Sequence, residues 1–217
     1  MIETKLFLVR HGESSCTVRK IVGGVKGCTG LSELGKLQVG ALAERITQTK
    51  EFGIVDAIYS SILPRAIETG QILIPSFDAN LVLLKQCDLC ELHPGIADGL
   101  DWQEADKEFG LKDFFHDPNR PLSPHGESWA VFLDRVRDSL ESSVKTHLGQ
   151  NIVAATHGGM IDGSLIQFLQ LPYYGRRANL RSSNASITEW NITDDKWRLV
   201  RYNDTAHLKD SLKTQQH

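Results

Sequence analysis

Two histidines in this sequence stand where a short apolar run stops and glycine begins. Lys5-Leu-Phe-Leu-Val9 leads into Arg10-His11-Gly12-Glu13, and Asn151-Ile-Val-Ala-Ala155 leads into Thr156-His157-Gly158-Gly159. A neutral imidazole at such a turn can act as a nucleophile and split a group transfer into two easier halves. Glycine directly after it, at Gly12 and Gly158, lets backbone come close to an anion. Arg10 precedes the first histidine, and Arg65 follows a third apolar run that ends at Tyr59. Two imidazoles and two guanidiniums at one rim make a small cationic bowl. A phosphate dianion suits it, because arginine offers bidentate, charge-assisted hydrogen bonds worth about 1.5–3 kcal/mol each. The formal net charge of the chain is −3, so an anionic substrate must be held by such a local cluster against a weakly repelling global field. The leaving oxygen then needs a proton donor. Glu91 is the best-placed carboxyl, since it follows an apolar run as the histidines follow theirs, with Asp88, Asp98 and Asp101 as alternatives.

For these groups to meet, the segments carrying them must end at one edge. Lys5–Val9, Ile54–Tyr59, Asn80–Lys85 and Asn151–Ala155 read as buried strands. Helices are expected from Ser32, a plausible N-cap, with Leu34, Leu37, Leu42 and Ile46 on one stripe; around Ala66, Ile67 and Ile72; over Glu127–Leu148, where Trp129, Phe132, Val136, Leu140 and Val144 share a face; and over Met160–Leu171. Ala185–Ile192 and Trp197–Tyr202 alternate like a closing hairpin across Thr193-Asp194-Asp195. Strands alternating with helices imply an α/β fold, a three-layer α/β/α sandwich with a mostly parallel central sheet. Ligands of such sheets bind beyond the carboxyl ends of the strands, which brings Arg10, His11, Arg65 and His157 to one rim. Residues 1–208 are expected to form a single domain and 209–217 a polar tail. The stretch 92–125, punctuated by Gly95, Gly99, Pro118, Pro121 and Pro124 with a short helix near Trp102–Phe109, reads as an insertion or lid over the active site. Trp102, Phe109, Phe114 and Phe115 are expected to cover the sheet edge, while Arg176 and Arg177 could reach the pocket from the 173–181 loop.

Several chemistries are excluded by what the sequence lacks. There is no Gly-x-x-x-x-Gly-Lys-Ser/Thr loop, no His-Glu-x-x-His and no carboxylate set at metal-binding spacing, so neither cofactor nor metal is expected. The acidic balance argues against nucleic acid and anionic membranes, and no apolar stretch approaches the ~20 residues that span a bilayer. A cytoplasmic protein with reduced Cys16, Cys28, Cys87 and Cys90 follows. Cys87-Asp-Leu-Cys90 has no second pair to complete a zinc site and reads better as small buried thiols. Each active-site candidate also has a bland alternative: a capping or buried histidine, a surface ion pair for Arg10, an exposed helix position for Arg65, a pairing with arginine for Glu91.

Val9-Arg10-His11-Gly12-Glu13-Ser14 resembles the signature of the histidine phosphatase superfamily, the phosphoglycerate-mutase-like proteins. The resemblance continues in order through Leu31-Ser-Glu-Leu-Gly35, Tyr59-Ser-Ser-Ile-Leu-Pro-Arg65-Ala-Ile-Glu-Thr69, Leu89-Cys-Glu91-Leu92, Gly126-Glu-Ser128 and Thr156-His157-Gly158-Gly159. It implies that His11 attacks phosphorus, that Arg10, Arg65 and His157 cradle the phosphoryl oxygens, and that Glu91 protonates the leaving oxygen and then activates water. Thr17 and the turn at Gly23-Gly24 are implied to lie beside the substrate. The family often has asparagine where Thr17 stands; its mutases usually have asparagine where Gly159 stands, and carry an arginine pair absent from 92–125. These departures favour a metal-independent phosphatase acting on a small phosphorylated metabolite. A phosphoglycerate mutase, or a non-catalytic member that binds a phosphorylated ligand or protein, is the alternative. Self-association into a homodimer stays open.

Overall fold

A computed structural model describes residues 2–77, 80–111, 117–172 and 180–214. Its strands are β1 (Glu3–Arg10), β2 (Ala57–Ser60), β3 (Leu83–Lys85), β4 (Asn151–Thr156), β5 (Ile187–Thr193) and β6 (Lys196–Asp204). Its helices are α1 (Ser15–Val18), α2 (Glu33–Thr49), α3 (Pro64–Leu73), α4 (Trp102–Phe109), α5 (Trp129–Thr146) and α6 (Gly158–Phe168). The six strands form one sheet in the order β3-β2-β4-β1-β5-β6. The β3-β2-β4-β1 part is parallel, and β5 and β6 are antiparallel additions at the β1 side.

The layers follow from the period of two along a strand. Leu6 and Leu8 of β1, Ile152 and Ala154 of β4, and Ala57 and Tyr59 of β2 point to one side, where α5 and α6 cover them with Phe132, Val136, Leu140, Met160 and Leu165. Phe7, Val9, Val153 and Ile58 point to the other, against Val39, Leu42 and Ile46 of α2 and Leu73 of α3. Both faces are buried, so the strands read as continuous apolar runs, and the three-layer α/β/α arrangement is the result. Each large side chain buried this way contributes about 1.5–3 kcal/mol. At the hairpin, Asp194 and Asp195 both take positive φ, 49° and 61°, which matches the right-handed twist of the strands they join.

The structure departs from the sequence expectations in particular places. The second strand begins at Ala57, with Ile54 left 80% exposed. The third shrinks to Leu83–Lys85 because it is the sheet edge, paired on one side only to β2, and Val82 is exposed. In α2 the buried stripe runs through Gly35, Gln38, Val39, Leu42 and Ile46, while Leu37 faces solvent. Phe109 does not cover the sheet edge: it packs with Val22, Ala97, Ala105 and Leu111 in a satellite cluster, and Trp102 is half-exposed. The 92–125 stretch thereby zips onto the 20–27 loop, through Val22 N–H to Leu100 O (2.9 Å), Gly99 N–H to Val22 O (3.0 Å) and Trp102 N–H to Lys20 O (2.9 Å). Phe114, Phe115, Arg176 and Arg177 lie outside the described residues.

One backbone contact ties the sheet rim to α2. A Cβ on Gly12 would sit 2.3 Å from the carbonyl oxygen of Gly35, and one on Gly35 would sit 2.0 Å from that of Glu13. Only glycine at both positions lets the loop after β1 lie on the helix. Gly40, in the same helix, has nothing within 4 Å of such a carbon. Gly35→Ala is therefore expected to cost about 1–3 kcal/mol of stability, whereas Gly40→Ala gains about 0.5–1 kcal/mol. Urea unfolding of the two variants checks this; equal effects would mean the Gly12–Gly35 contact is not what seats the loop.

Candidate active site

Parallel pairing of β1 with β4 sets Val9 opposite Ala155 and Arg10 opposite Thr156, so His11 and His157 leave the sheet at the same level. Their ring centroids are 5.1 Å apart at 60°. On the far side of β4, Ser60 pairs with Ala155, and the next residue, Ser61, reaches His157 Nε2 with its Oγ at 2.6 Å.

The contacts of His11 fix its tautomer. Nδ1 lies 2.6 Å from the carbonyl oxygen of Gly12, which can only accept, while the Nε–H of Arg65 donates to Nε2 at 3.1 Å. The proton therefore sits on Nδ1 and the lone pair on Nε2. The loop itself is braced: Glu13 N–H donates to Gln38 Oε1 (2.8 Å), Ser32 Oγ to Glu13 Oε1 (2.7 Å) and Asn184 Nδ2 to the His11 carbonyl (3.1 Å). Ser32, the expected cap of α2, also accepts Gly35 N–H at 3.0 Å.

The cations around this pair are buried, and the carboxyls of Glu91 and Asp162 only partly offset the cost of burying Arg10. Arg65 is 5% exposed and anchored by Nη1–H to the Gly23 carbonyl at 2.7 Å. Arg10 is half-buried and donates to the Ser182 carbonyl. Burial, followed by the charges of Arg65 and Arg10, pushes both His11 and His157 well below the ordinary histidine value. Burial likewise lowers Arg10. Three polar atoms here are buried without a hydrogen-bond partner among the described residues: Arg10 Nε, His157 Nδ1 and Ser182 Oγ. A Cβ on Gly158 would meet the Arg10 guanidinium at 3.4 Å and Ser182 Oγ at 3.7 Å, so these groups converge beside the start of α6. Unspent donors such as Arg10 Nε–H and the Ser182 hydroxyl, in a cationic, water-poor rim, are what a bound oxyanion satisfies.

Two carboxyls lie near the histidine rim: Asp162, which accepts the Tyr202 hydroxyl at 3.2 Å, and Glu91, the one of the expected proton donors placed there. Glu91 is bonded to the start of α6, just after His157. Its Oε2 accepts Gly159 N–H at 3.0 Å, two residues beyond His157. A Cβ at 159 would fall 2.0 Å from Glu91 Oε1, so glycine there is what admits the carboxylate. The alternatives are committed elsewhere. Asp98 accepts the N–H groups of Gly24 (2.9 Å), Lys26 (2.8 Å) and Gly27 (2.9 Å), and Asp101 caps α4 through Gln103 N–H (2.7 Å). Asp88 is exposed. A cleft of about 200 Å³ opens between Glu91, Leu92, Pro94, Gly24 and Leu63. The roomier surface recess, about 490 Å³ along α5 beside Asp138, Glu141 and Lys145, has neither histidine nor arginine in its walls.

The expected substrate-binding positions separate. Gly158 lies within reach of the Arg10 and Ser182 groups. Gly23 serves Arg65 through its carbonyl, and the Gly24 N–H is taken by Asp98, although Gly24 still lines the cleft. Thr17 is exposed on α1 and its hydroxyl bonds Ser14 Oγ at 2.8 Å, with no described contact to either histidine. Sequence reasoning missed Ser61, Ser182 and Asn184. Ser61 lay within a motif already singled out; Ser182 and Asn184 are distant in sequence and carry no local signal.

Residues 6–205 match the model of the histidine phosphatase superfamily (branch 1). A metal-independent phosphoserine phosphatase of Arabidopsis thaliana is 32% identical over 94% of this chain and 83% of its own length. A 2,3-bisphosphoglycerate-dependent phosphoglycerate mutase of Staphylococcus haemolyticus is 30% identical over 76% of this chain and 84% of its own. Among solved structures, a mycobacterial glucosyl-3-phosphoglycerate phosphatase superposes with a TM-score of 0.75 at 28% identity, covering 93% of this chain and 99% of that one.

The buried neutral imidazoles make a linkage prediction. Below an unfolded histidine pKa of about 6.5, the unfolded chain takes up protons that folded His11 and His157 refuse. Their contribution is therefore intact above that pH and lost as pH falls below it, by at most about 1.4 kcal/mol per pH unit for each. His207, held at about 4 by burial, adds to the same slope. Unfolding free energies measured from pH 7.5 to 5 should fall steeply in the protein as it stands and less steeply in His157→Gln. Vanadate, by supplying the missing anion, should flatten the slope. An unchanged slope in both tests would mean the imidazoles are not neutral in the fold.

Proposed function

Because this chain belongs to the histidine phosphatase superfamily, branch 1, we propose that it hydrolyses a small phosphate monoester through a covalent phosphohistidine on His11. The observation that carries this reading is the lone pair on His11 Nε2, held beside unpartnered buried polar atoms of Arg10, His157 and Ser182. In the first half, Nε2 attacks phosphorus as the ester P–O bond breaks, and the leaving oxygen takes the Glu91 proton. Arg65 passes its Nε–H from the imidazole to a phosphoryl oxygen, while Arg10 and His157 hold the others. In the second half the Glu91 carboxylate takes a proton from water, the hydroxide oxygen bonds phosphorus, and the P–N bond breaks to return neutral His11 and inorganic phosphate. Charge stabilisation at the equatorial oxygens is what such a transfer chiefly needs.

Hydrolysis is favoured over mutase chemistry by the phosphatases among the relatives and by Gly159, which stands where the mutases usually have asparagine. The substrate class is that of a small phosphorylated hydroxy compound such as phosphoserine, supported by the phosphoserine phosphatases among its relatives and by the small cleft. Residues 1–208 are taken as one domain, supported by one sheet to which β1 and β6 both contribute. A cytosolic setting is supported by four free cysteines; among the described residues, no helix is long and apolar enough to cross a membrane.

His11→Ala should abolish phosphate release from p-nitrophenyl phosphate and phosphoserine, and the parent should yield acid-labile phosphohistidine on rapid quench. Glu91→Gln should lower turnover of an alkyl phosphate by about 10²–10⁴-fold and that of p-nitrophenyl phosphate, whose leaving group needs no proton, far less. If the parent and His11→Ala are equally inert, the chain is a phospho-ligand binder. If 3-phosphoglycerate gives 2-phosphoglycerate and no inorganic phosphate, it is a mutase.

A further inference from the structure

The turn that carries Glu91 holds a second constellation of chemically able groups. Cys87, Cys90 and His93 follow one another at intervals of three, and their ligand-capable atoms all lie within 4.8 Å of one another. Cys87 Sγ is 3.6 Å from His93 Nε2. Sulfur and nitrogen on one tetrahedral zinc ion, at bond lengths of about 2.3 and 2.05 Å, stand about 3.5 Å apart. The spacing is therefore already that of two ligands sharing an ion. In the sequence Cys87 and Cys90 form a pair without a second pair; the turn supplies a partner three residues on.

The site is built and not a chance gathering of side chains. A 3-10 turn over Cys87–Leu89 closes with Cys90 N–H on the Cys87 carbonyl at 2.8 Å, and Thr156 Oγ1 donates to the Leu89 carbonyl at 2.8 Å. The Arg135 guanidinium gathers the carbonyls of Asp88 (2.8 Å), Cys90 (3.0 Å) and Glu91 (3.3 Å). It also grips the Glu127 carboxylate, at 2.8 Å from Nε and 2.7 Å from Nη2. Glu127 in turn accepts the His93 backbone N–H at 2.8 Å and faces His93 Nδ1 at 3.4 Å. A carboxylate at Nδ1 keeps the imidazole proton there and presents the Nε2 lone pair to the two thiols, the outer arrangement that metal-bound histidines generally have. Cys90 is 1% exposed and Cys87 is open to solvent, so an ion can enter from outside.

We propose that Cys87, Cys90 and His93 bind one divalent cation of the zinc class, with the fourth position open to water or a small exogenous ligand. Binding releases two thiol protons to solvent and leaves the neutral imidazole as the third donor. Glu91 lies inside the ligand run, so the ion clamps the backbone on both sides of the proposed proton donor. The ion takes no part in phosphoryl transfer, and its binding does not depend on the reaction assigned above.

The test is metal uptake by the reduced protein, with four free thiols verified by thiol titration. Co²⁺ should bind at one equivalent with thiolate-to-metal charge-transfer absorbance and the visible bands of a tetrahedral site, and Zn²⁺ should displace it. Cys87→Ser, at an exposed position, and His93→Gln should each weaken uptake at least tenfold, while Cys16→Ser leaves it unchanged. Zn²⁺ should raise the melting temperature of the parent and not that of Cys87→Ser. No stoichiometric uptake, uptake that survives both ligand substitutions, or uptake lost in Cys16→Ser would overturn the proposal.

Discussion

Two guanidiniums are buried at the rim of this sheet, and the nearby carboxyls of Glu91 and Asp162 only partly offset the cost of burying Arg10. Arg65 donates to one imidazole, Arg10 lies behind the other, and burial strips both guanidiniums of the water that would screen them. The two histidines answer by staying neutral, since a proton on either would add a third like charge to a low-dielectric site. That electrostatic tension is what the surrounding structure maintains. A phosphate dianion relieves it, and the relief is available only where the donors are already aimed, so orientation is settled during folding and not during reaction.

The supports are mostly backbone. Gly12 lies on Gly35 so closely that neither could carry a side chain, and Gly159 leaves room for the Glu91 carboxylate in the same way. Asp98, with three N–H groups on one carboxylate, shapes the Gly24–Gly27 turn whose neighbour Gly23 holds Arg65. Arg135 plays the matching part on the other side. Burial would raise its partner Glu127, but the hydrogen bonds from Arg135 and His93 outweigh it and hold the carboxyl at about 2. The ion pair thus stays intact near neutral pH, and the segment from Asp88 to His93 is fixed with it. Glu91 and His11 are thus positioned by two separate sets of contacts.

Much of this was legible in the residues. The apolar runs at Lys5–Val9 and Asn151–Ala155, each ending in a histidine and glycine, made a parallel pair with a shared rim the economical reading, and the register bears it out. The stripe from Trp129 to Val144 held as α5 because tertiary packing and helical period agree there. The errors have physical causes. Asn80–Lys85 is as apolar as a central strand yet lies at the edge, where one neighbour supports only three residues of ladder. Phe109 was assigned to the sheet, but composition does not say which apolar surface an aromatic side chain will find.

Residue type and short-range spacing determined the nucleophile candidate, the cationic character of the rim and the α/β class, because each depends on periodicity or on chemistry carried by a few adjacent residues. Tertiary structure decided everything that is a relation between distant segments. It spent Asp98 and Asp101 on turns and caps and set Glu91 against Gly159, and it brought Ser182 from the far end of the chain to Arg10. It also moved Thr17 out of the expected set and gave Cys87 and Cys90 a third companion in His93, oriented by a glutamate 34 residues away. A side chain's partners are set by which backbones pack together, and packing is a property of the whole chain.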